Sequence, residues 1–284
     1  MREKIDTRAI GLDVGLSFIK WLTGAENLHY GLWGGLDVTA GNLRSAQDAY
    51  TTKLFKLLPK GKLRILDIGG GAGETARKLL ELGHQVDIVV PSAFLAQRCR
   101  DNAPKATVHE CMFEDLQTEQ IFDLCLFSES FQYIPIKIAL EKAAGYLDKG
   151  GEIIVSDCFR SEGIKGHKIG STVGGGHHIG AFRETLAAKP IEVISEEDIT
   201  ASVAPSIDLE QNFFNVLGHA VTRIDQELGA KKRKTRWFIH RALVTVMSKR
   251  KRYRLNQRLN EKTRTAAHFS ANNVYLMIKL RPKG

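Results

Sequence analysis

The spacing of apolar positions along this chain switches repeatedly between a strand rhythm and a helix rhythm. Arg64 to Ile68 places three aliphatics in five positions with glycine at the exit, as a short buried strand does. The next stretch, Ala72 to Leu82, carries Ala76, Leu79, Leu80 and Leu82 as the apolar residues of a helix. The unit then repeats. Strands are predicted at Gln85 to Val90, Thr107 to Glu110, Phe122 to Phe127 and Glu152 to Ser156, and helices at Ala93 to Asn102 and Ile136 to Leu147. Another helix, Phe182 to Lys189, precedes a sixth strand within Pro190 to Thr200. Strand–helix units of this length imply a parallel sheet covered on both faces. Upstream, Ile10 to Leu22 has a mostly helical pattern, and residues 42 to 58 read as a helix stopped by Pro59 and Gly61. Downstream, residues 206 to 266 are mostly helical, with Leu209, Phe213, Leu217, Ala220 and Ile224 at helical spacing, and Asn273 to Leu280 is strongly β-prone.

The first strand and its helix are joined by Asp67-x-Gly69-x-Gly71-x-Gly73. Glycines at alternate positions allow a sharp turn without side chains, so a ligand can approach the main chain and the N-terminus of the next helix. A dinucleotide fingerprint would space its glycines Gly-x-Gly-x-x-Gly. Here the third glycine falls one residue early and an acid stands two before the first. This pattern, with Gly70 inside it, resembles motif I of the class I S-adenosylmethionine-dependent methyltransferases. Leu147-Asp148-Lys149-Gly150-Gly151 before the fifth strand also resembles the family, and other stretches resemble its tocopherol and cyclopropane-fatty-acid branch: His29-Tyr30-Gly31-x-Trp33 before the first strand, Glu129-Ser130 after the fourth, and Glu197 to Pro205 after the sixth. The resemblance implies a seven-stranded Rossmann-like sheet, mostly parallel with the last strand antiparallel. It also implies an N-terminal helical lid and a helical insertion between strands six and seven. The cofactor would be S-adenosylmethionine, with Asp67, Gly69, Gly70, Gly71 and Gly73 around its methionine part and Tyr30 folded over it.

Two departures open a rival reading. The family's ribose-binding acid at the end of strand two is replaced by Val90, and Met112 stands where an acid often meets the adenine. The backbone of Phe113, or Glu114 after a shift of two residues, would fill that second role. A homologue that kept the fold as a binding or scaffold protein is the alternative. Ligands of open α/β sheets sit beyond the carboxyl ends of strands, so Ser128 to Pro135 faces the reacting methyl group. Ser128 is expected at the cofactor, and Tyr133 stands where the branch has a histidine. His177 and His178 follow a glycine run, Gly174 to Gly176. Together with Tyr133 they are the candidate catalytic residues; a solvated loop and a metal site are the other readings of the histidine pair.

Composition changes this picture little. A hydrophobic content of 43% and a charged content of 26% over 284 residues are those of an ordinary globular chain. Cys99, Cys111, Cys125 and Cys158 form no C-x-x-C pair, which fits reduced thiols and a cytoplasmic setting. The N-terminus lacks an apolar signal-peptide core, and no run reaches the roughly 18 apolar residues of a membrane span. The net charge of +9 is concentrated. Lys231 to Arg236 and Lys249 to Arg254 flank the apolar Trp237 to Met247, a layout that suits an anionic membrane surface; no RNA-binding module is visible, so nucleic acid is not the expected partner. The expected organisation is a lid over 1–60, a cofactor-binding core over 61–205, a cap over the acceptor site at 206–270 and a last core strand within 271–284. The expected reaction is methyl transfer to a small, apolar or lipid-like acceptor; an RNA acceptor is the second alternative. Neither the methylated atom nor the oligomeric state can be read from the sequence.

Overall fold

The computed structural model of the chain describes residues 7–162, 175–260 and 264–283. Seven strands form one sheet: β1 (Arg64–Ile68), β2 (Gln85–Val89), β3 (Thr107–His109), β4 (Phe122–Ser128), β5 (Leu147–Arg160), β6 (Ile191–Asp198) and β7 (Asn273–Pro282). Their order is β3-β2-β1-β4-β5-β7-β6. The first five run parallel, and β7 is antiparallel to both β5 and β6. This is the seven-stranded Rossmann-like sheet expected from the sequence, antiparallel last strand included. β5 is longer than the pattern predicts, because its outer half pairs with β7 from Ile153 to Arg160, well beyond its parallel pairing with β4.

Alternation along the strands builds two cores. Ile65, Leu124, Leu126 and Ile154 point to one face, and Leu66, Cys125, Phe127, Ile153 and Val155 to the other. The first face is covered by α2 (Leu43–Phe55), α3 (Glu74–Glu81) and α4 (Ala93–Asn102), whose Tyr50, Leu54, Ala76, Leu79 and Ala96 join that core. The second face is covered by α5 (Ile136–Gly145) and α6 (Ile179–Ala187), through Ala139, Leu140, Phe182 and Leu186. Both faces are therefore apolar along every central strand, as a parallel sheet requires. All four cysteines are free thiols.

Ahead of the sheet lies α1 (Thr7–Thr23). Between β6 and β7 come α7 (Thr200–Val203), α8 (Pro205–Lys231), α9 (Arg233–Val246), α10 (Lys249–Asn260) and α11 (Ala266–Asn272). The helical insertion expected from the sequence is thus present, but it meets the core only through its ends. In α8 the buried residues are Ser206, Ile207, Gln211 and Gly218, all in its first half; α9 and α10 bury none. Among the described residues no helix is long and apolar enough to cross a membrane.

Phe131 fixes the turn after β4. It is fully buried, with its ring edge-on to Phe127 at 5.3 Å and to Phe182 at 5.7 Å. Phe131→Ala should therefore cost about 3–5 kcal/mol, read as a lowered urea midpoint with an unchanged m-value.

Candidate active site

The turn from β1 into α3 is built around one buried acid. Asp67 is the next-to-last residue of β1, with its Oδ2 buried and without a hydrogen-bond partner. Burial alone pushes its carboxyl up to about 7. A Cβ on Gly70 would stand 2.6 Å from that oxygen and 2.8 Å from Ile88 Cγ2, so only glycine lets the loop pass over the acid. Gly69, Gly71 and Gly73 all have positive φ, a region that strains any other residue. At Gly71 a Cβ would meet only Leu28 Cδ1, at 3.5 Å, so this part of the loop presents bare backbone to open space. An unpaired buried carboxyl beneath exposed main chain at a helix N-terminus suits a ligand with an ammonium group and a carboxylate.

The N-terminal segment is fastened over this loop. Glu26 is buried and accepts from Arg98 and from Asn102, and Asn102 also donates to Ala72 O at 2.8 Å. Glu74 Oε1, at the start of α3, accepts from Glu26 N at 3.1 Å. Ser206 Oγ accepts from Gly31 N at 3.1 Å and from Trp33 Nε1 at 2.8 Å, which ties the same segment to α8.

Beside the loop lies a second polar centre. Ser130 Oγ donates to Ile68 O, joining the end of β4 to the end of β1. One residue earlier, Glu129 has φ 58°, rare for a residue with a side chain. Its Oε1 accepts from Tyr30 N and from Tyr275 Oη, both at 2.8 Å. Tyr275 Oη meets Tyr50 Oη at 2.9 Å, which in turn meets Ser156 Oγ at 2.6 Å and Ser128 Oγ at 3.3 Å. Desolvation pushes the Glu129 carboxyl up to about 8, and nearby Asp157 adds to the rise. Burial and the Glu129 charge also push Tyr30, Tyr50 and Tyr275 up, so all three hydroxyls remain donors at neutral pH.

These two centres gather most of the residues the sequence singled out. Tyr30 lies at the carboxyl end of β4, its ring edge-on to Phe269 at 6.3 Å. Ser128 belongs to the tyrosine network. Phe113 is buried against Phe127, in a short turn after β3, and Glu114 beside it has an Oε2 that is buried without a partner. Val90 is buried in the core, and Met112 is exposed. The candidate catalytic residues follow the same turn after β4 or lie at the start of α6, and none bonds to Glu129 in the hydrogen bonds described above. Tyr133 is 67% exposed. The ring Nε2 of His177 lies 2.9 Å from Ile134 O and 3.2 Å from Phe131 O, so the imidazole pins the turn after β4. His178 is exposed at the start of α6. Gly174 lies outside the described residues, as do 163–173. Among the described residues no group of three or more His, Cys, Asp or Glu is placed to hold a metal ion.

Residues 65–151 match the family described as "methyltransferase domain". The chain carries a methyltransferase domain. Its cofactor is S-adenosylmethionine. A tRNA 5-carboxymethoxyuridine methyltransferase of Escherichia coli K12 is 32% identical over 121 residues, which is 39% of this chain and 44% of that protein. The chain thus spans less than half the length of that relative. Two solved structures share the fold: the cyclase SpnF (TM-score 0.67, 16% identity, 98% of this chain and 96% of that one) and the cyclopropane synthase MmaA2 of Mycobacterium tuberculosis (TM-score 0.66, 15% identity, 95% of each).

Sequence reasoning noted Glu129 of the methyltransferase domain only as a family match, and missed Tyr50 and Tyr275. The signal for Glu129 was its position, one residue beyond a central strand. Tyr50 and Tyr275 lie in α2 and β7, more than 200 residues apart in sequence, and only the folded sheet brings them together.

Two outcomes follow for the loop. Gly71→Arg fills the bare backbone at some cost in strain and should abolish S-adenosylmethionine binding in calorimetry while circular dichroism still reports a folded chain; retained binding would place the cofactor elsewhere. Because the folded-state pKa of Asp67 is raised, its ionised form is disfavoured in the ligand-free fold. Relative to Asp67→Asn, the wild type should lose stability as pH rises from about 4 to about 7 and level off above that, read from urea midpoints across pH.

Proposed function

We propose that this chain methylates a small, apolar or lipid-like acceptor and that Glu129 takes up the proton the acceptor loses. S-adenosylmethionine, when bound, supplies the activated methyl group. The observation that carries the reading is the placement of Glu129. It lies beyond the carboxyl end of β4, adjoining the glycine loop through Ser130, with both recorded donors converging on Oε1. Its Oε2 is then the oxygen that accepts a proton. A carboxyl raised to about 8 is a stronger base than an exposed one and is matched to work just above neutral pH. Tyr275 and the Tyr30 amide fix its orientation, and the tyrosine network behind them holds that arrangement without competing for the proton.

The rings of Tyr30, Phe269 and Tyr275 beside Glu129 support an apolar acceptor. Phe269 comes from α11, so the ends of the 206–270 segment close this side of the site as a cap would, and 1–60 acts as the lid. Tyr133, His177 and His178 then serve structure or acceptor entry more than proton transfer. A lipid-like acceptor also places the work of the enzyme at a membrane periphery.

An RNA acceptor is the second reading. It is favoured by the tRNA methyltransferase relative and by the basic character of residues 231–254. Incubating the protein with methyl-labelled S-adenosylmethionine and either a lipid extract or total RNA separates the two. Label in the lipid fraction is expected; label in RNA would replace the first reading, and cofactor binding with label in neither would favour a scaffold.

With an acceptor in hand, kcat/KM should rise with pH and level off above about 8, because the base works ionised. Glu129→Gln should abolish that rise and slow turnover by about 10²–10⁴-fold. A variant with an unchanged pH profile would remove Glu129 from proton transfer.

A further inference from the structure

From Lys231 to Asn260 the chain holds twelve lysines and arginines and not one aspartate or glutamate. The whole chain has a net charge of +9, so everything outside this segment is on balance acidic. The segment is α9, α10 and the residues joining them to α8. Three of its cations reach acids of α8: Lys231 with Glu227 at 2.8 Å, Arg236 with Asp225 at 2.8 Å, and Arg258 with Glu210. The other nine have no acidic partner among the described residues. They stand on a helical arm that projects from the core and is repelled by a second copy of itself.

The arm is also apolar where a globular surface normally is not. α9 folds back along α8 through Arg236 and His240, which both meet Asp225. That contact leaves the neighbouring face of α9 uncovered. Phe238, Ala242 and Val246 lie one turn apart on it, flanked by Ile239 and Leu243. Phe238 is 65% and Val246 82% exposed, and Val216, Val221 and Ile224 of α8 are exposed as well. Trp237 carries the Arg241 guanidinium over its ring at 5.3 Å, a polar–aromatic pairing suited to a headgroup layer. Uncovered apolar surface of this extent marks an interaction site.

We infer that the α8–α10 arm docks on an anionic phospholipid surface, inserting Phe238, Ile239, Leu243 and Val246 among the acyl chains while the unpaired cations meet headgroup phosphates. Charge complementarity selects an anionic partner. The aliphatic residues select a bilayer over a nucleic acid, which offers phosphates and base faces but no hydrocarbon to take Val246 and Leu243. The inference does not depend on which acceptor is methylated, because it rests on the charge and exposed apolar surface of the arm alone.

The test is co-sedimentation of the full chain with phosphatidylcholine vesicles, with and without phosphatidylglycerol. Wild type should bind only the anionic vesicles, and more weakly as salt rises, since exposed charges are screened within about 10 Å at 0.1 M. Each cation removed should lower the partition about fivefold, so Lys232→Gln with Lys234→Gln should weaken it some 20- to 30-fold. Phe238→Ser with Val246→Ser should also weaken binding, and to a degree that salt does not change. Cofactor calorimetry on both variants confirms that the domain remains folded. Equal binding to neutral vesicles, or an apolar variant that binds anionic vesicles as wild type does, overturns the inference. So does tighter binding of an RNA oligonucleotide that the apolar variant retains.

Discussion

The site depends on a carboxylate that is costly to ionise where it sits. Glu129 is held at a backbone conformation few side chains tolerate, and its Oε1 draws a main-chain amide from the N-terminal segment and a hydroxyl from the last strand. Behind it, Tyr275, Tyr50 and Ser156 pass hydrogen bonds from β7 to α2 to β5. Five parts of the chain are thus locked by one polar chain. In an apolar surrounding such a network holds its geometry tightly, because breaking any link strands a buried polar group. The strain at Glu129 persists because the sheet on either side over-determines it.

The fold was legible because its signals are local and repeated. Most of the parallel strands show as short aliphatic runs, and glycine marks the exit of β1. The antiparallel position of β7 was not carried by periodicity; it came from the resemblance, and the long pairing with β5 explains why β5 outgrew its apolar run. Asp67 and the glycines were legible for the same reason, since a sharp turn over an acid imposes residue types at fixed spacing. The hydrogen-bonded centre around Glu129 was less so. Tyr133, His177 and His178 drew attention as titratable residues near a strand end or a glycine run. Yet His177 spends its ring nitrogen on two carbonyls, and Tyr133 faces solvent. A hydroxyl that works through three partners leaves no spacing in the sequence, as Tyr50 and Tyr275 show.

The missing acids at Val90 and Met112 also read differently in three dimensions. Val90 belongs to the core under the first helices, and its amide pairs with His109 O at 3.1 Å. An acid there would be buried among aliphatics. Glu110, directly after β3, is exposed, whereas Glu114, one residue past Phe113, has a buried oxygen without a partner. The loop after β3 therefore keeps an unsatisfied carboxyl close to where the family places one, although at a shifted position.

The insertion between β6 and β7 enters and leaves the sheet at nearly one place. Ile199 N donates to Tyr275 O, and Tyr275 N donates to Thr200 Oγ1, so the strand before the excursion and the strand after it are stitched together at the root. The sheet closes at this seam whether the excursion is long or short. Such a graft point lets evolution lengthen, recharge or replace the arm without touching β4, the glycine turn or the tyrosine chain. Chains with the same catalytic sheet can then diverge first in where they work in the cell, and only later in what they methylate.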